Sequence, residues 1–175
     1  MTEANLTEAK LTGANLRGVN LMGAHLSDTD LTTVNLKGAI LAGADLRSVI
    51  LTGMDLTGVN LTGVNMSSAG LSGANLTGAN LTGLNLTGAN LSDANLSGAN
   101  LSGGDLKGAN LSGANLTDAD LTDAKLKGAI LSDMNFTDVS LKFADLSSAD
   151  LRNSNFTGMD LRDVNLSGVD LTGSN

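Results

Sequence analysis

Between Ala74 and Leu91 the chain reads ANLTGANLTGLNLTGANL, with Leu76, Leu81, Leu86 and Leu91 five residues apart. The spacing extends in both directions without a slip, from Leu6 to Leu171; of these 34 centres 31 are Leu, and Met66, Phe136 and Phe156 are also large and apolar. A helix turns about 100° per residue, so a period of five would scatter the leucines around its axis instead of lining one face. A straight strand alternates faces with period two and would put successive leucines on opposite sides. Each unit must therefore be a very short strand followed by a change of direction, with every leucine pointing inward.

The other four slots agree. Two before the centre stands a small inward residue, mostly Ala or Val, and one before it is Asn or Asp in 27 of 35 units. One after the centre is Ser or Thr in 25 of 35, and two after is Gly in 20 of 35. Ser or Thr followed by Gly suits a turn that needs a positive φ or a local side-chain hydrogen bond. The path predicted is a solenoid, in which one coil cannot stand alone and stacking supplies the rest of the stability.

Tandem A(D/N)LxG of this kind resembles the pentapeptide repeat proteins, and the resemblance spans the whole chain, 1–175, as one domain with no linker or insertion. It implies an all-β fold, a right-handed quadrilateral β-helix of four pentapeptides per coil, hence about nine coils and a rod of roughly 42 Å at a strand spacing of about 4.8 Å. The residues themselves lean only slightly to 20 per coil over 15. With 20, Phe136 and Phe156 stack and Leu84 faces Gly104, while other pairings favour 15. A core ladder Leu76, Leu96, Leu116, Phe136, Phe156 follows from the 20-residue coil. So does a column of outward Asn (15, 35, 75, 95, 115, 135, 155) broken by Asp55, whose amides are expected to bond along the stack.

Composition narrows the function. The chain has no Cys, one His (His25) and no Pro, Trp or Tyr, so no nucleophile with a choice of partner bases is visible and an enzyme is not expected. No cofactor motif stands between a strand and a helix. Asp118 with Asp138, and Asp150 with Asp170, would be column neighbours, but two carboxylates on a convex face make at most a weak cation site, and no metal is assigned. The first residues have neither a basic nor an apolar region of the kind a leader needs, and no run of 18 apolar residues occurs; a cytoplasmic protein without membrane attachment is expected. Lys125 would fall between Asp105 and Asp145 as an exposed charge ladder. Thr29 and Ser154, in the inward small slot, are expected to bond to the backbone.

The departures from the repeat offer the candidate site. Phe143 takes the turn slot where Gly is usual, and Ile40, Ile50 and Ile130 replace outward Asn or Asp. A partner-binding patch is expected around Phe143, flanked by Asp123 and Asp163, with Ile130 as a further apolar member. The leading functional reading is a rigid rod whose faces bind a protein partner. The resemblance implies this for members in bacteria and especially cyanobacteria, and it also implies an alternative, a DNA mimic that binds DNA gyrase. Duplex DNA carries about 25 charges over such a length, at one per about 1.7 Å. This chain nets -8, of which -5 falls in residues 105–175. Ice binding through Ser/Thr files such as Thr12, Thr32, Thr52 and Ser72 is the weakest reading, because the neighbouring outward slots carry Asn and charge. No direct nucleic-acid contact is expected. The apolar coil ends at Leu6 and Leu171 leave end-to-end association or a homodimer open.

Overall fold

In the computed structural model, which describes residues 1–175, each pentapeptide contributes three extended residues and a two-residue turn. The centre's carbonyl accepts the N–H three residues on, as from Ala14 to Leu11 at 2.8 Å and from Ala74 to Leu71 at 3.0 Å. The third residue of the turn has φ > 0, the signature of type II. Every Gly of that slot adopts it, and so do Glu, Asp, Ser, Asn153 and Phe143; Thr33 and Asp163 are the exceptions. Thr33 is β-branched and avoids the left-handed region; its hydroxyl instead accepts the Gly13 N–H at 2.9 Å.

Parallel bridges join outward residues 20 apart along all four sides, from Asn5 with His25 to Asp150 with Asp170. Four pentapeptides per coil is therefore the observed register. Between coils the leucine N–H donates to the outward residue's carbonyl below, and that residue's N–H donates back: Leu76 to Asn95 at 2.8 Å, and Asn95 to Ala74 at 2.9 Å. Four sides result. Taken in chain order, side 1 carries the outward residues Asn5 to Asn165, side 2 Lys10 to Asp170, side 3 Asn15 to Asn175 and side 4 Asn20 to Asp160.

Leucines and small residues from all four sides fill one core of 50 buried residues running from Leu16 to Leu151. Phe136 and Phe156 stack at 4.8 Å between ring centroids and 7° between planes, close to the strand spacing itself. Phe136 is fully buried and Phe156, one coil from the end, partly so. At that end Phe156, Leu161, Leu166 and Leu171 rim an open hollow of about 340 Å³.

The outward Asn and Asp have a local task that the column argument did not anticipate. From Asn5 to Asp170, each accepts the N–H of the residue two further on, an Asx turn that satisfies the first amide of the corner. The expected amide ladder on side 3 is only segmental. Asn75 donates to Asp55, Asn115 to Asn95 and Asn155 to Asn135, at 3.3, 3.3 and 3.1 Å, with no such bond at the intervening steps. The inward hydroxyls behave as expected. Thr29 donates to the Leu26 carbonyl, and Ser154 donates to the Leu131 carbonyl at 3.0 Å while accepting the Met134 N–H at 3.3 Å.

Candidate functional site

Phe143 stands at the corner between sides 4 and 1 with φ 61° and 52% of its surface exposed. A bulky residue in the left-handed region is strained, because its Cβ crowds the following carbonyl. Its ring gains little burial in return; the Lys142 Nζ lies 4.9 Å from the ring centroid, a cation–π contact. Asp123 and Asp163 occupy the same corner file one coil to either side, as the 20-residue register requires. Asp123 shares the left-handed turn, with φ 57°, and its N–H bonds the Lys142 carbonyl at 2.9 Å. The equivalent bond from Phe143 to Arg162 is missing.

Ile130 does not join this group. It is 40% exposed in the middle of side 2, and all of side 1 lies between it and the Phe143 corner. The odd period is the reason: residues 13 apart stand two and a half pentapeptides apart around the coil. The apolar part of the patch near the corner is thus Phe143 alone, bordered by carboxylates.

Those carboxylates are more numerous than the corner file suggests. In the C-terminal half, side 4 and its two corners gather Asp118, Asp120, Asp123, Asp138, Asp160 and Asp163, opposed there only by Lys142 and Arg162. Most of the net charge of the C-terminal half therefore faces one way. The signal was present in the sequence and needed only the residue numbers sorted by their remainder on division by 20.

Four of the ten cations on the rod are neutralised locally. An Arg or Lys one after the centre reaches back to an Asp one before it: Arg47 to Asp45 at 2.7 Å, Lys107 to Asp105 at 3.1 Å, Arg152 to Asp150 at 2.7 Å and Arg162 to Asp160 at 2.5 Å. Hydrogen bonds from the Arg162 side chain and amide hold the Asp160 carboxyl down at about 2, and Arg47 and Arg152 lower Asp45 and Asp150 in the same way. Lys125 is in register between Asp105 and Asp145 but pairs with neither, so the expected charge ladder is replaced by these two-residue clips.

Between the strands Asp138–Lys142 and Gly158–Arg162, side 4 opens into a cleft of about 420 Å³ lined by Val139, Met159, Asp160 and Arg162 among others. A second cleft on the same side, about 300 Å³, lies between Gly58–Thr62 and Gly78–Asn80. No helix is long and apolar enough to cross a membrane.

A profile described as pentapeptide repeats matches residues 1–38, 39–78, 74–113, 105–142, 114–153 and 140–175 in 8 copies, and the chain belongs to that family. No curated protein matches it. Among solved structures it is similar to HetL, a pentapeptide repeat protein involved in heterocyst differentiation regulation in the cyanobacterium Nostoc sp. strain PCC 7120. The identity is 31%, over 99% of this chain and 87% of HetL, with a TM-score of 0.40. It is also similar to alr5209 from Nostoc PCC 7120, at 38% identity over 58% of this chain and 84% of that one, with a TM-score of 0.48. QnrB1, a plasmid-mediated fluoroquinolone resistance protein, is 18% identical over 98% of this chain and 86% of its own, with a TM-score of 0.53, a likeness of fold.

Proposed function

We propose that this chain is a non-enzymatic interaction rod whose partner, a protein with a basic surface, docks on the C-terminal half of side 4 and on the Phe143 corner. The observation that carries the reading is Phe143 itself. An exposed aromatic ring is held in a backbone conformation that glycine would adopt freely, at a slot where glycine is the commonest residue. The six carboxylates of side 4 and its corners, against two cations, favour a basic partner, since complementary charge steers encounter and sets register. The test is affinity capture from the source cells with wild type, Phe143→Gly, and Asp120→Asn with Asp123→Asn. A stoichiometric partner held by wild type and released by the variants supports the reading. Retention by all three removes it.

A second reading draws on the same acidic side: DNA mimicry directed at DNA gyrase, the alternative that the family resemblance raised. Here the partner's basic surface would be one that normally holds duplex DNA. A supercoiling assay decides. Inhibition lost on neutralising Asp120 and Asp123 supports mimicry, and undiminished supercoiling at saturating protein excludes it.

A further inference from the structure

The inter-coil ladder is not equally closed on the four sides. Along side 1 every outward residue is bridged to the next coil, from Asn5 to Asn165. On side 3 the bridges 35/55 and 115/135 are missing, and on side 4 the bridges 60/80 and 140/160; a further gap, 10/30, lies on side 2 at the first coil. The last pair, 155/175, lacks a bridge but keeps both ladder bonds and is not a seam. At each seam both ladder bonds are absent. Leu36, Leu61, Leu116 and Leu141 have no backbone acceptor in the next coil, and Asp55, Asn80, Asn135 and Asp160 have none in the coil before. The two clefts are the two side 4 seams.

The inward small slot explains the placing. Its three methionines are Met54, Met134 and Met159, and a seam separates each from the coil above: Val34 over Met54, Ala114 over Met134, Val139 over Met159. Where the slot holds Ala over Ala, stacked methyl groups fit the strand spacing. A thioether chain needs more room along the stack, and a packed core answers by moving backbone. Met54 and Met134 are each followed five residues later by a valine, Val59 and Val139, and the side 4 seam opens below each valine. The same pair of seams, side 3 then side 4, thus occurs twice, 80 residues or four coils apart. Leu84 shows a partly compensated case. It is as bulky as Met, but the next coil offers Gly104. Towards the coil above, the 65/85 bridge and the bond from Met66 N–H to the Asn85 carbonyl at 2.9 Å are kept, and only the bond from Asn85 N–H to the Val64 carbonyl is lost.

We propose that the rod is jointed. The paired seams at Met54/Val59 and Met134/Val139 are compliant joints about which sides 3 and 4 open and close, while side 1 serves as the continuous hinge line. The faces of the rod then differ in stiffness, and the compliant side 4 is also the acidic one.

The chain has no cysteine, so paired spin labels can be introduced cleanly. Labels at Asn20→Cys and Asn100→Cys span four coils of side 4 across the 60/80 seam, and labels at His25→Cys and Asp105→Cys span four coils of side 1 with no seam. The side 4 pair should give the broader distance distribution by pulsed electron paramagnetic resonance; equal widths overturn the proposal. Amide exchange supplies the second readout. The Leu36, Leu61, Leu116 and Leu141 amides should exchange at least about tenfold faster than the side 1 amides of Leu46, Leu86 and Leu126, as expected of locally opening segments. Met54→Ala should slow Leu36 relative to Leu46. If the substitution weakens the whole fold, both amides accelerate together and the ratio still reports the joint. An unchanged ratio overturns the role given to methionine.

Discussion

Leu84 lies one coil above Gly104 in the same inward file, the only leucine of that slot over its only glycine. A Cβ on Gly104 would sit 2.9 Å from the Leu101 carbonyl oxygen and 3.3 Å from Leu106 Cδ1. Its φ is not in the left-handed region, so size alone is the constraint. Gly104→Ala should cost about 1–3 kcal/mol by overpacking, and Leu84→Ala about 2–5 kcal/mol by leaving a cavity. The double variant should cost less than the sum, since each change makes room for the other. Urea denaturation of the four proteins measures the coupling; strict additivity would show that the two sites do not share space.

Phe143→Gly should raise stability by up to about 1 kcal/mol, because the left-handed backbone at φ 61° then costs nothing. A thermal melt checks it. If the variant melts lower than wild type, the ring is a structural residue and the partner surface must be sought elsewhere. Phe143→Asp should fall between the two, since Asp already occupies the same turn slot at Asp123 and Asp133.

Gly70 stands in the outward slot without a positive φ, and a Cβ there would meet only ordinary contacts, the nearest 3.7 Å from the Val49 carbonyl oxygen. Gly70→Asn should therefore create the Asx bond to the Ser72 N–H that the other coils have, and raise stability by about 0.5–1 kcal/mol. A lower denaturation midpoint would mean that the corner bond contributes nothing at this coil.

Acid should loosen the rod. Asp45, Asp150 and Asp160 titrate below their ordinary range in the folded chain, so their contribution is complete above the unfolded value of about 3.9 and is lost as pH falls through the folded values, about 2 for Asp160. These groups are exposed, so the loss per group is small. Carboxyl shifts followed by nuclear magnetic resonance should give an Asp160 midpoint near 2 in wild type and a higher one in Arg162→Ala. A wild-type midpoint near 4 would show that the clip does not form in solution.

Much of this was legible from residue types. The five-residue ladder from Leu6 to Leu171 dictated turns and an inward face, and the stacking of Phe136 on Phe156 and the fit of Leu84 to Gly104 followed once 20 residues made a coil. What escaped were effects of small displacements and short reach. Asx bonding belongs to residues two apart and was hidden behind a column argument about residues 20 apart. The seams depend on how a core answers a methionine in a slot built for alanine, which periodicity does not register. Ile130 is only 13 residues from Phe143, and in a four-sided coil nearness in sequence is a poor guide to direction.

The 20-residue register also governs how such a chain can change length. Removing or duplicating one whole coil shifts everything beyond it by a single strand spacing and leaves each face looking in its original direction. Loss of one pentapeptide instead turns all that follows by a quarter revolution, so that the acidic side and the Phe143 corner would no longer stand over the same side of the preceding coils. Insertions and deletions are therefore graded by their remainder on division by 20. A neutral lengthening and a complete rearrangement of the surface differ by only five residues.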